Sequence, residues 1–293
     1  MEPKTADLDG TVHYVEFGGT GAPLVCVHGL GGSALNWMAV GPALAEQNRV
    51  LAIDLRGFGR TPLNGHSARI EDNQRLLDRF LREVVGPPAI VMGNSMGGLI
   101  GVLQAARQPD TVRALVLVDP ALPWPGWRRF DLQVWAFFGG LMLPGIAGQG
   151  LELRRRRLGA ERLVKETLSV VCALPERVAP ELVQAHVDEA LERFEADGAG
   201  NRALIQAARS LMRVLARRHY DPVYEAVEAP VLVVHGNRDR LVPVECSLII
   251  GQRHGWKVAT LPGVGHVPMM ETPREFLRVT QPWLAGLQGA RPA

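Results

Sequence analysis

Short, uninterrupted apolar runs recur along the first part of the chain, each closed by turn-forming residues. Residues 24–28 (LVCVH) stop at Gly29, and residues 50–54 (VLAID) stop before Arg56-Gly57-Phe58-Gly59. Residues 90–92 form a third run, and residues 114–118 (ALVLV) end at Asp119-Pro120. Apolar runs without polar alternation indicate strands covered on both faces. Residues 11–17 alternate instead, as an edge strand does when one face is wet. Between the runs, residues 69–85 place Leu76, Leu77, Phe80, Leu81, Val84 and Val85 on one helical stripe. Residues 99–108 predict a second helix that follows Ser95 directly. Strands separated by helices imply an α/β fold with a mostly parallel central sheet flanked by helices.

The alternation stops over residues 123–228, where aromatic residues crowd the start and helical patterns follow at 181–194 and 202–218. Strand character returns at residues 231–235 (VLVVH) and 257–261. The simplest organisation is one α/β core, residues 1–122 and 229–293, interrupted by a helical insertion at 123–228.

Composition narrows the function classes. The 293 residues are 47% hydrophobic and 21% charged, enough to bury a sizeable core. A formal net charge of +2 gives no global basic field, which argues against nucleic acid as a partner. Cys26, Cys172 and Cys246 are odd in number and widely spaced, so neither a disulfide framework nor a zinc site is indicated. The first residues carry no apolar core of a signal peptide. Residues 132–147, the best membrane candidate, are too short and are broken by Gly139-Gly140 and Pro144. The expectation is a soluble cytoplasmic protein.

The strongest chemical signal is Gly93-Asn94-Ser95-Met96-Gly97-Gly98, a G-x-S-x-G pattern between a strand and a helix. There a serine is held in a strained turn above the carboxyl end of the sheet, and the Met96 N–H at the helix start faces an oxyanion. Serine is a weak nucleophile and needs a base, itself oriented by an acid. Among eight histidines, His266 lies in a Gly-Pro-rich loop after the last strand, where an open α/β sheet places its working groups. His28 and His235 each end a buried strand and read as structural. Two aspartates compete as the acid, Asp239 after residues 231–235 and Asp119 after residues 114–118. Both fit the chain order nucleophile, acid, base; Asp239 is favoured because its longer, more polar turn can aim a carboxylate at His266.

Five landmarks in order resemble the serine hydrolases of the α/β-hydrolase superfamily: His28-Gly29-Leu30-Gly31-Gly32, Asp54-Leu55-Arg56-Gly57-Phe58-Gly59, Gly93 to Gly98, His235-Gly236-Asn237-Arg238-Asp239, and Gly265-His266 before Glu271-Thr272-Pro273. The resemblance covers nearly the whole chain. It implies a helical cap inserted after the sixth strand, Asp239 as the triad acid, and Leu30 as donor of the second oxyanion N–H beside Met96. It calls for no metal and no organic cofactor. The activity implied is that of an esterase or lipase acting on apolar small-molecule esters. Carbon–carbon hydrolases of ring-fission products are the runner-up, although those usually carry Trp after the histidine where this chain has Val267. An aspartate at the elbow, as in haloalkane dehalogenases and epoxide hydrolases, is absent. Trp124, Trp127, Trp135, Phe138 and Val267 are candidates to line an apolar pocket, although packing of the cap itself explains most such residues.

Two rival readings have footholds. Gly29-Leu30-Gly31-Gly32-Ser33-Ala34, with Asp54 downstream, fits a dinucleotide fingerprint but leaves Ser95, Asp239 and His266 unexplained. The basic run at residues 154–157 beside an apolar stretch suggests a membrane surface. With Glu152 and Glu161 as local counter-charges it reads more simply as one solvated helix face.

Overall fold

The structure is a computed structural model and describes residues 2–123, 131–195, 199–216 and 221–289. Eight strands form one sheet: β1 (Glu2–Asp7), β2 (Thr11–Gly18), β3 (Ala22–Val27), β4 (Asn48–Ile53), β5 (Ala89–Asn94), β6 (Val112–Val118), β7 (Val231–Gly236) and β8 (Lys257–Leu261). Their order is β1-β2-β4-β3-β5-β6-β7-β8. β1 and β2 pair antiparallel, as do β2 and β4, and every other neighbouring pair is parallel.

The unbroken apolar runs are explained by alternation between two buried faces. In β3, Val25 and Val27 join one core with Leu77, Phe80 and Leu103 from the helices Ile70–Phe80 and Met96–Arg107. Leu24 and Cys26 point the other way, into a core shared with Trp37, Leu44 and Phe276, the last from the helix Pro273–Gly289. The stripe at residues 69–85 forms a helix over Ile70–Phe80 that widens into a π-turn at Leu81–Val85 and stops at Gly86, φ 87°.

β1 lacked a signal in the apolar pattern because its sequence, EPKTAD, buries no side chain. Backbone pairing with β2 carries it, and Lys4 donates to Glu16 at 2.6 Å across that pair. Charged side chains on such an edge also discourage pairing with another chain.

Between β6 and β7 the described residues contain the helices Leu132–Met142, Ala147–Val171, Pro180–Glu195, Ala199–Leu215 and Asp221–Glu225. Gly159, at φ 69°, breaks the long helix in the middle. The apolar stretch at 132–147 holds the whole of the helix Leu132–Met142 and reaches the start of the next, and among the described residues no helix is long and apolar enough to cross a membrane. The arginine run is mostly neutralised in place: Arg155 and Arg156 pair with Glu152, at 2.6 and 2.7 Å, and Arg154 pairs with Glu166 at 2.9 Å. Glu161, expected as a counter-charge to the run, pairs with Lys165 instead.

One glycine fixes how closely the helix after β5 approaches β3. A Cβ on Gly97 would lie 2.3 Å from the Val27 carbonyl oxygen and 2.6 Å from that of His28. Both are backbone atoms, one in β3 and one directly after it, and cannot swing aside. Gly97→Ala is therefore expected to destabilise the fold by about 3 kcal/mol, the upper part of the overpacking range. Urea unfolding would measure it, and a change within about 0.5 kcal/mol, typical of neutral surface substitutions, would contradict the close approach.

Candidate active site

Ser95 occupies the turn between β5 and the helix Met96–Arg107 with φ 51° and ψ −116°. Positive φ is strained for a residue with a Cβ and persists only where the surroundings over-determine it. Here the surroundings are backbone bonds to β6 and beyond: Ser95 N–H donates to the Val118 carbonyl at 2.9 Å, and the Ser95 carbonyl accepts from Ala121 N–H at 3.0 Å. Asn94 ties this turn to the histidine loop, its Nδ2 donating to the carbonyls of Val118 and His266 at 3.1 and 3.0 Å. Sequence reasoning treated Asn94 as the variable position of the motif and missed this link.

His266 sits in the loop after β8. Its Nδ1–H donates to Asp239 Oδ2 at 2.6 Å, and its backbone N–H donates to the Val171 carbonyl at 2.6 Å. The loop is also held by Glu271, whose carboxylate accepts from the N–H groups of Gly265, Ala173 and Leu174 at 2.9, 3.0 and 3.0 Å. Burial pushes the His266 imidazole towards the neutral form, but the charge and hydrogen bond of Asp239 outweigh it and raise its pKa above the usual value.

Asp239 is aimed by its own turn. Its Oδ1 accepts from Leu241 N–H at 2.7 Å and Val242 N–H at 3.1 Å, leaving Oδ2 for the histidine. Although burial opposes the charge, His266 and His235 hold this carboxyl below the ordinary carboxylate range. Of the two candidate acids, the geometry therefore brings Asp239 to His266. Asp119, also at positive φ (43°), accepts from Gly236 N–H at 2.8 Å and lies 3.6 Å from His235 Nε2.

His28 braces the loop after β3. Its Nε2 accepts from Leu55 N–H at 3.0 Å, so Nδ1 must carry the proton it donates to the Gly29 carbonyl at 2.7 Å. Burial favours this neutral form and lowers its pKa. The braced loop brings Leu30 to the cavity wall that also holds Ser95. Met96 is the first residue of the helix after Ser95, where backbone N–H groups lack intrahelical partners.

The dinucleotide reading fails at Asp54. That carboxylate accepts from Ala34 N–H at 2.7 Å, Arg60 N–H at 2.9 Å and His13 Nδ1 at 2.7 Å, so it is engaged by the protein itself. The glycine loop, moreover, opens only a four-residue 3-10 helix, Ala34–Trp37. Asp119, His235 and Asp239 are the one cluster of metal-ligating types found among the described residues, with donor atoms within 4.8 Å of one another. His235 Nε2 faces the Val242 carbonyl at 2.9 Å, which requires a proton rather than a lone pair on that nitrogen. The cluster is therefore built as an ion-pair network.

Ser95 and His266 open into a cavity of about 1230 Å³. Its lining includes the apolar side chains of Phe138, Leu141, Ile146 and Val267. Of the residues that the sequence offers as pocket candidates, Phe138 and Val267 line this cavity; Trp124 and Trp127 lie outside the described residues, as does the side chain of Trp135. The lining also includes His186, Glu189 and Arg193 from the helix Pro180–Glu195, none of which the sequence singled out. Burial pushes Glu189 up to about 7, helped by the charge of Asp54, and pushes His186 down to about 4. Arg193 donates to the Gly57 carbonyl at 3.2 Å. An isolated polar residue in a helical pattern gives no sign that it faces a cavity.

The profile described as the alpha/beta hydrolase family matches residues 24–279. The chain belongs to the alpha/beta hydrolase family. This hydrolase is 27% identical over 291 residues to a 2-hydroxy-6-oxo-6-(2'-aminophenyl)hexa-2,4-dienoic acid hydrolase of Metapseudomonas resinovorans, covering 93% of this chain and 87% of that one. It is also 27% identical over 277 residues to a pimeloyl-[acyl-carrier protein] methyl ester esterase of Aeromonas hydrophila, covering 91% and 97%. Among solved structures, a bacterial membrane phospholipase A superimposes with a TM-score of 0.76 at 25% identity, covering 99% of this hydrolase and 87% of that chain.

Proposed function

We propose that this alpha/beta hydrolase is a serine carboxylic ester hydrolase acting on apolar small-molecule esters. The observation that carries the proposal is the 2.6 Å contact between His266 Nδ1 and Asp239 Oδ2, at the wall of the cavity that Ser95 also lines. A histidine so oriented presents Nε2 as a base. Ser95 Oγ adds to the ester carbonyl carbon while His266 takes its proton, and the Leu30 and Met96 N–H groups receive the oxyanion. Collapse breaks the bond to the alkoxide, which leaves with the proton from His266, and the acyl group stays on Ser95. Water then gives its proton to His266, attacks the acyl carbon, and releases the acid and free Ser95. Each oxyanion donor is worth about 2.7–4 kcal/mol of transition-state stabilisation. The helices within residues 123–228 act as the cap, and their apolar lining takes the acyl or alcohol chain.

The runner-up is hydrolysis of a carbon–carbon bond in a diketo acid from aromatic ring fission. It draws support from the Metapseudomonas resinovorans relative and from the arginines at the cavity wall, Arg193 among them. The two readings separate on substrates. With p-nitrophenyl esters of rising acyl length, turnover is expected to peak between butyrate and octanoate. Turnover of a vinylogous diketo acid, with none on any ester, would reverse the assignment.

A further inference from the structure

The contact between His266 and Asp239 has a second, fully buried tier behind it. His235, at the end of β7, has no exposed side-chain surface, and neither have Asp119 and Asp239. Its Nε2 lies 2.9 Å from the Val242 carbonyl oxygen, 3.3 Å from Asp239 Oδ2 and 3.6 Å from Asp119 Oδ1. Its Nδ1 lies 2.7 Å from the hydroxyl of Ser247, itself fully buried.

We propose that His235 is a positioning residue, a buried imidazolium held between Asp119 and Asp239 that keeps the Asp239 carboxylate ionised and aimed at His266. The proposal rests on the reading of Ser95, Asp239 and His266 as a triad. All three oxygens around Nε2 are acceptors, so a proton must sit there, and it is shared between the carbonyl and the Asp239 carboxylate. Nδ1 can then donate to Ser247, which completes the cation. Without that cation two carboxylates within 4.8 Å of each other would share a site with no exposed surface, and one would have to bind a proton.

The groups facing this tier come from four elements. Asp119 follows β6, Asp239 follows β7, and His266 follows β8. The helix Val244–His254 adds Ser247 and Cys246, the latter neutral because burial pushes its thiol up to about 12. Burial works against charge on His235, but Asp119 and then Asp239 outweigh it and lift the imidazole to about 9. Burial, with the charge of Asp239 adding to it, lifts Asp119 to about 7. A histidine raised in the folded state stabilises it fully below the ordinary value of 6.5, and that contribution is lost as pH rises through about 9.

The test compares His235→Gln, Asp119→Asn and the double variant of the whole chain, by melting temperature and by kcat and KM on p-nitrophenyl butyrate, between about pH 6 and pH 10. His235→Gln is expected to lower kcat by about tenfold or more, with KM within about twofold, because it leaves a second carboxylate unbalanced beside Asp239. Adding Asp119→Asn removes that carboxylate and is expected to restore most of the lost kcat and melting temperature. A side chain that only filled space would predict additive losses instead. A double variant no better than His235→Gln, or His235→Gln with the wild-type pH profile, overturns the proposal.

If His235→Gln does not fold while the double variant does, the proposal stands. If neither folds, Asp119→Asn alone decides: the alkaline fall in melting temperature must begin at lower pH than in the wild type, and an unmoved fall overturns the idea. The melting curves need no substrate. Wild-type protein inactive on every ester would therefore sink the functional reading while leaving the ion-pair result to stand or fall separately.

Discussion

Ser95→Ala is expected to reduce kcat on p-nitrophenyl butyrate by about a millionfold, the scale seen when the nucleophile of a triad is removed. The loss follows from chemistry that no neighbour can replace. Water in the emptied position lacks the orientation that the strained elbow gives to Oγ, and no acyl-enzyme can form. The residual rate would come from binding and from the Leu30 and Met96 N–H groups. Stability should hardly change, because the Ser95 side chain does not cap the helix that follows, and the turn is pinned through backbone bonds to Val118 and Ala121. The measurement is a steady-state rate together with a melting curve. Activity within about tenfold of wild type would dismiss Ser95 as the nucleophile.

The sequence made the sheet legible because its central strands are covered on both faces, so their apolar runs needed no alternation to stand out. It hid β1, whose six residues contribute backbone pairing and, beyond the partly buried Ala6, nothing to either core. The chemistry divided in the same way. Ser95, His266 and Asp239 lie in short loops at the carboxyl ends of strands, where glycines and prolines mark the turns, and a linear reading can find them. It favours Asp239 over Asp119 only on the length and polarity of its turn, since both follow buried strands and both suit the chain order. What separates them is direction: the Asp239 turn binds Oδ1 through two backbone N–H groups and frees Oδ2, whereas Asp119 spends its Oδ1 on Gly236. Glu189 and Arg193 were invisible for another reason. Their helix turns some polar residues, such as Gln184 and Asp188, to solvent and others to the cavity, and composition alone does not distinguish the two.

Asp239→Asn is expected to cost about ten thousandfold in kcat while leaving the fold intact. The aspartate accepts the Nδ1 proton of His266, which keeps Nε2 free as the base; an amide can offer its NH2 to Nδ1 instead and trap the wrong tautomer. The pH profile supplies a second signature. In the wild type, kcat/KM should fall as pH drops through the raised pKa of His266, since protonated imidazole is no base. Asp239 is the main group raising that value, so in Asp239→Asn the acid limb must move to lower pH. Stability responds with the opposite sign at the acid end. The depressed carboxyl of Asp239 stabilises the wild type above its ordinary value of 3.8, and this is lost as pH falls through its lower folded value. Asp239→Asn lacks that contribution at neutral pH and should therefore lose less stability on acidification. Asp119→Asn provides the contrast, because Asp119 bonds to Gly236 and faces His235 rather than meeting the base. An Asp119→Asn variant as inactive as Asp239→Asn, with the acid limb moved equally far, would exchange the roles of the two carboxylates.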